Sequence, residues 1–190
     1  LVILLLIPIG LSQANLTIGP DEKLHLAVNE ILISNGNLSI PSSGQVIGAR
    51  GSQIRVSGNW NNYGTFIHND SQVYFIGVGV SEINGGSNFH SLIVDLTDID
   101  TTGGKTVLFE KGVTQKVDNL LQLRGDEQTA LMVGSTQDGV NATVDTTNAE
   151  VVLSNVIIRD VDLGQASNQL TALLEILEDS SSSGGANNAN

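Results

Sequence analysis

The chain has 190 residues, 40% of them hydrophobic and only 15% charged, with 21 glycines, 3 prolines and no cysteine. The formal net charge of −12 argues against nucleic acid or an anionic membrane surface as a partner, and residues 126 to 190 alone hold ten acids against one base, Arg159. Lack of cysteine removes any disulfide framework or thiolate metal site, while the polar, glycine-rich remainder favours short strands joined by turns over a helical bundle.

Residues 1–14, LVILLLIPIGLSQA, form an apolar run closed by small residues at Ser12 and Ala14, the −3 and −1 positions of a cleavage after Ala14. This pattern predicts a secretory signal peptide whose positively charged n-region lies upstream of the first residue, in a protein exported to the cell surface or the medium. A membrane-spanning helix needs about twenty apolar residues. This run is shorter and contains Pro8 and Gly10, so the sequence does not predict an integral membrane protein. The alternative reading of the run is a hydrophobic first strand.

From Asn15 to Asp179 the sequence predicts one β domain. Period-two alternation recurs at 24–28, 30–33, 37–40, 53–56, 65–68, 72–75, 106–109, 121–123, 130–133 and 151–158, with Gly, Asn, Asp or Ser in the gaps. QLTALLEILE, 169–178, fits a helix or a strand equally, since Leu170, Ala172, Leu174 and Ile176 alternate. Residues 180–190, SSSSGGANNAN with its first serine at 180, read as a flexible linker or tail leading toward a longer chain. Comparable apolar pairs recur about every twenty residues, from Ile54/Val56 to Val73/Phe75, Leu92/Val94 and Val107/Phe109. That period, with Asn-Gly pairs placed to stack as amide ladders, favours a parallel β-solenoid over the alternative, a β-sandwich.

A series of motifs carries a resemblance. SGNW (57–60), NYGTF (62–66), VYFIG (73–77) and EING (82–85) are followed by FHSLIV (89–94) and GKTVLFEKGVTQKV (104–117). LLQLRG (120–125) and VVLSNVIIRDVD (151–162) close the series. In this order and spacing they resemble the repeat-bearing parallel β-helix regions of large bacterial secreted and cell-surface, adhesin-like proteins, over roughly 110 of the 190 residues. The resemblance implies a single-stranded right-handed parallel β-helix, displayed outside the cell, with a structural or adhesive role and no enzyme activity. Partners would be surface glycans or other cell-surface proteins.

Within such coils Trp60, Phe66, Phe75 and Phe89 are expected to face inward or cover turns, stacking between layers. The functional alternative is a carbohydrate-active module, either a glycan platform of Trp60, Tyr63 and Tyr74, with the two tyrosines the principal ligand candidates, or a lyase-like helix. Chemistry is otherwise sparse. No paired carboxylates stand out for glycoside hydrolysis, and Arg159-Asp160-Val161-Asp162 reads as a solvated strand end. His25, His68 and His90 sit singly in alternating strands and predict no metal site or cofactor. Calcium is the more plausible ion, with Asp95, Asp98 and Asp100 as its candidate ligands.

If residues 1–14 are removed on export, the secreted product starts at Asn15. N-terminal sequencing of extracellular protein checks this, and recovery of an intact LVILLL terminus would refute it.

Overall fold

The computed structural model describes residues 14–97 and 103–164. Residues 1–13 of the expected signal peptide, Asp98, Asp100, the 169–178 stretch and the 180–190 tail therefore lie outside the described residues. The described part is all-β, with no helix, and every strand pairing within it is parallel.

Three sheets share the strands in rotation. One contains β1 (Leu16–Thr17), β4 (Leu38–Ile40), β7 (Trp60–Asn62), β10 (Gly79–Asn84), β12 (Lys105–Phe109), β14 (Leu131–Ser135) and β17 (Val156–Ile158). A second contains β3 (Ile31–Ser34), β6 (Gln53–Val56), β9 (Gln72–Phe75), β11 (Asn88–Asp95), β13 (Thr114–Arg124), β15 (Ala142–Asp145) and β18 (Val161–Asp162). The strand β16 (Glu150–Ser154) also pairs with β13. The short third sheet contains β2 (Lys23–His25), β5 (Gln45–Ile47) and β8 (Thr65–Ile67). The chain visits the three sheets in turn as far as β9 and then alternates between the two large ones, except that the consecutive β15 and β16 both pair with β13. Strands bond to counterparts one repeat away. Such pairing is compatible with a solenoid and unlike the antiparallel sheets of a sandwich.

Register fixes the core. Ile54, Val73, Leu92, Leu121 and Val151 form one column of successive Cα partners, all essentially buried. Leu16, Leu38, Trp60, Ile83 and Phe109 form another. Alternate residues point outward, so Gln53, Arg55, Gln72 and Tyr74 flank the buried Ile54, Val56, Val73 and Phe75. The expected spacing of inward pairs holds for its first two steps. Its third step does not, because Leu92 pairs with Leu121, while Val107 and Phe109 belong to the sheet of Ser81 and Ile83. The repeat lengthens there, from 22 residues between stacked asparagines to 28 between Ser87 and Gln115.

Side-chain amides tie repeats together where the chain turns. The Asn37 N–H donates to Asn15 Oδ1 at 2.9 Å, the Asn59 N–H to Asn37 Oδ1 at 2.8 Å, and the Glu82 N–H to Asn59 Oδ1 at 2.9 Å. Beside this ladder runs a second, in which Asn61 Nδ2 donates to Ser39 Oγ and Asn84 Nδ2 to Asn61 Oδ1. Gly36 is needed because a Cβ there would lie 1.4 Å from the Ala14 carbonyl oxygen of the neighbouring repeat. The 151–158 run, expected as one strand, is two. Asn155, in the left-handed region at φ 49°, turns the chain between β16 and β17 and sends them to different sheets.

Trp60, Phe75, Phe89 and Phe109 are fully buried, whereas Tyr63 is 63% exposed. Phe75→Ala or Phe109→Ala should therefore cost roughly 3–5 kcal/mol of stability, and Tyr63→Ala within about 0.5 kcal/mol. Chemical denaturation of the three variants measures the difference.

Candidate functional site

The aromatic cluster is mainly core. Trp60 meets Phe66 edge-on at 4.9 Å and Phe89 at 5.4 Å between ring centroids, and Phe66 lies 5.9 Å from Phe89. Phe66 is only partly buried and covers the other two. The Trp60 Nε1–H donates to the buried Ser87 Oγ at 3.0 Å, so the indole is satisfied inside the fold. Trp60 is thus removed from any glycan platform by its complete burial.

The two tyrosines occupy different places. Tyr63 sits in the turn between β7 and β8, whereas Tyr74 is on β9 in another sheet. Tyr74 stands in an outward column between Arg55 and Ile93. The Arg55 guanidinium lies 5.2 Å from its ring centroid, and its hydroxyl donates to Gln72 Oε1 at 3.0 Å. One face of Tyr74 is therefore already engaged, and Tyr63 is the ring open to a ligand.

Asp95, the described member of the calcium candidates, closes the end of β11. Its Oδ1 accepts from the Thr97 N–H and Oγ1–H, and its Oδ2 accepts from Gln122 Nε2 at 2.7 Å and Arg124 Nη1 at 3.4 Å. Those bonds anchor β11 to β13. Farther along, Asp160 Oδ2 accepts the Gly139 N–H at 2.9 Å.

Two groups acquire significance from the fold. The first is Lys105, which has the same parity on β12 as the buried Val107 and Phe109 and is itself buried. Its Nζ donates to Ser81 Oγ at 2.7 Å, Ile76 O at 3.2 Å and Ser57 O at 3.3 Å. All three acceptors are neutral, and burial pushes the ammonium pKa down to about 8.

The second is a pair of histidines, His68 and His90, brought one above the other with ring centroids 5.5 Å apart at 28°. Asp70 and Asp118 flank them. Asp70 Oδ1 is 3.6 Å from His90 Nδ1, and Asp118 Oδ2 is 3.4 Å from His68 Nε2. Local chemistry explains the placement. His68-Asn69-Asp70-Ser71 is a turn closed by the Ser71 N–H donating to His68 O, with Asn69 and Asp70 both at positive φ, a conformation that Asn and Asp tolerate. A bulge between Phe89 and Ser91, whose partners are Val117 and Leu120, brings Asp118 alongside. The Lys116 ammonium, 2.7 Å away, holds the Asp118 carboxyl below its usual range, aided by the Asn88 amide and His68. His25 lies apart from this cluster, on β2.

Compared with known proteins, the chain matches no family model, no curated protein and no solved structure. Among the described residues no helix is long and apolar enough to cross a membrane.

The buried lysine has a pH signature. Between about pH 8 and its ordinary value of 10.5, the unfolded chain holds a proton on Lys105 that the folded chain has released, so this group makes stability rise with pH across that window. Below it the full desolvation penalty is present. Wild type should gain on Lys105→Met as pH is raised from about 8 toward 10, read from denaturation midpoints at matched ionic strength. A constant difference would overturn the assignment.

Proposed function

We propose that this chain is a segment of a secreted or cell-surface, non-catalytic structural and adhesive protein, built as a single-stranded right-handed parallel β-helix. The observation that carries this reading is the parallel pairing that runs from strand to strand along the two large sheets. Each repeat buries its own apolar residues and hands its outer backbone groups to the next, which is how a stack extends without a new core. Right-handed crossover between parallel strands of one sheet is the rule in about 98% of cases. The role is presentation: a stiff stack holds polar and acidic side chains away from the cell for surface glycans or proteins to contact. Sequence order and spacing support the adhesin-like assignment, and the apolar leader supports export.

Small-angle scattering from the full chain should give the skewed distance distribution of an elongated particle. Beads coated with the chain should adhere to immobilised cell-surface glycans or proteins above an albumin control, and should release no product from acidic polysaccharides. A compact scattering profile would overturn the helix. Polysaccharide cleavage would overturn the non-catalytic reading in favour of a carbohydrate-active module.

A further inference from the structure

We infer that His68, Asp70 and His90 form a binding site for a late first-row divalent cation, zinc first, that staples two successive repeats on the outer surface. One ligand atom from each of the three side chains lies within 4.8 Å of the other two. The imidazoles are each about three-quarters covered, while Asp70 is 59% exposed. A zinc ion with nitrogen and oxygen ligands at about 2.0–2.1 Å in tetrahedral geometry needs them roughly 3.3 Å apart. Closing that gap moves the exposed Asp70 carboxylate and the turn that carries it, since the Asp70 N–H now occupies His68 Nδ1.

Donor chemistry selects the ion. Two imidazoles and one carboxylate suit zinc and its neighbours, whereas magnesium and calcium prefer an all-oxygen shell. Three protein ligands leave a fourth position for water or for a group on a partner. His68 already has the surroundings of a metal-bound histidine. Its Nε2 faces the Asp118 carboxylate at 3.4 Å, the outer support that fixes ring orientation and raises ligand basicity. Its Nδ1 accepts the Asp70 N–H at 3.1 Å, and the ion takes that lone pair in place of the amide. Lys116 is turned to Asp118 at 2.7 Å, so the ammonium offsets the carboxylate charge beside the site.

The test is titration of the full chain with zinc chloride alone, by calorimetry, with thermal melting in parallel. One ion per chain is expected, with a melting temperature that rises with zinc concentration. His68→Gln and His90→Gln should each weaken binding at least about tenfold. Asp70→Asn, which preserves the turn because asparagine also accepts positive φ, should weaken it as well. Asp118→Asn, acting through His68, should give a smaller loss. His25→Gln removes the remaining histidine of the chain and should change nothing, and excess magnesium should not compete. Melting without metal establishes that each variant folds; should one histidine variant fail, Asp70→Asn and the other histidine variant still decide. Absence of stoichiometric binding would overturn the site. So would binding that survives His68→Gln, His90→Gln and Asp70→Asn, or that falls equally in His25→Gln.

Discussion

Parallel backbone pairing between successive repeats is the constraint on which the rest of the structure depends. A strand of two to five residues is too short to be stable by itself, and most strands here are of that length. Each N–H and C=O in the sheets must find its partner one repeat away. Once that register is set, every inward column, every asparagine ladder and every close-packed glycine is determined with it. An intramolecular amide hydrogen bond contributes only about 0.5–1.5 kcal/mol net, and less where water can replace it. The ladder from Asn15 through Asn37 and Asn59 to Glu82 is therefore a specification of alignment as much as a source of stability.

Clusters of polar and charged side chains arise both from that regularity and from its exceptions. Outward side chains on neighbouring repeats stand close together, which is how Arg55 comes to lie over Tyr74, while the turn at 68–71 sets His68 beside His90. The bulge on β13 adds Asp118 to the pair by displacing the register between Phe89 and Ser91. Inside, Lys105 stands over Gly79, and its long side chain reaches Ser81 Oγ and Ser57 O, so an amine is held among neutral oxygens. Neither arrangement needs residues adjacent in sequence.

Much of the all-β, parallel character was legible from the sequence, because alternation and glycine or asparagine punctuation act locally. Gln72–Phe75 forms a strand over the span that its alternation predicts. The repeat near twenty was legible too, down to Ile54 over Val73 and Val73 over Leu92. It failed where the repeat lengthens, since nothing in Val107 or Phe109 tells which sheet they join. The sites were harder to read for the same reason. Single histidines carry no motif, and the local step in the sheet of His90 is 19 residues, from Gln72 to Ser91, so the 22 residues between His68 and His90 did not mark them as neighbours. Lys105 likewise shares parity with Val107 and Phe109, yet an ammonium on an inward position defies the usual expectation that lysine stays exposed. Asp98 and Asp100 fall outside the described residues.

The 22-residue ladder step has a consequence for how such a chain can change over generations. Loss of residues 37–58, one full step, would carry Asn59 into the place of Asn37, beneath Asn15, with Trp60 following where Leu38 had been. Faces, turns and donors would still coincide. Smaller changes of step are absorbed in the turns, since Leu38 to Trp60 spans 22 residues and Trp60 to Ile83 spans 23, with all three side chains inward. Whole-step duplication or excision would thus keep the ladder and the inward columns aligned, and a gene for this fold could vary its reach in units of a repeat.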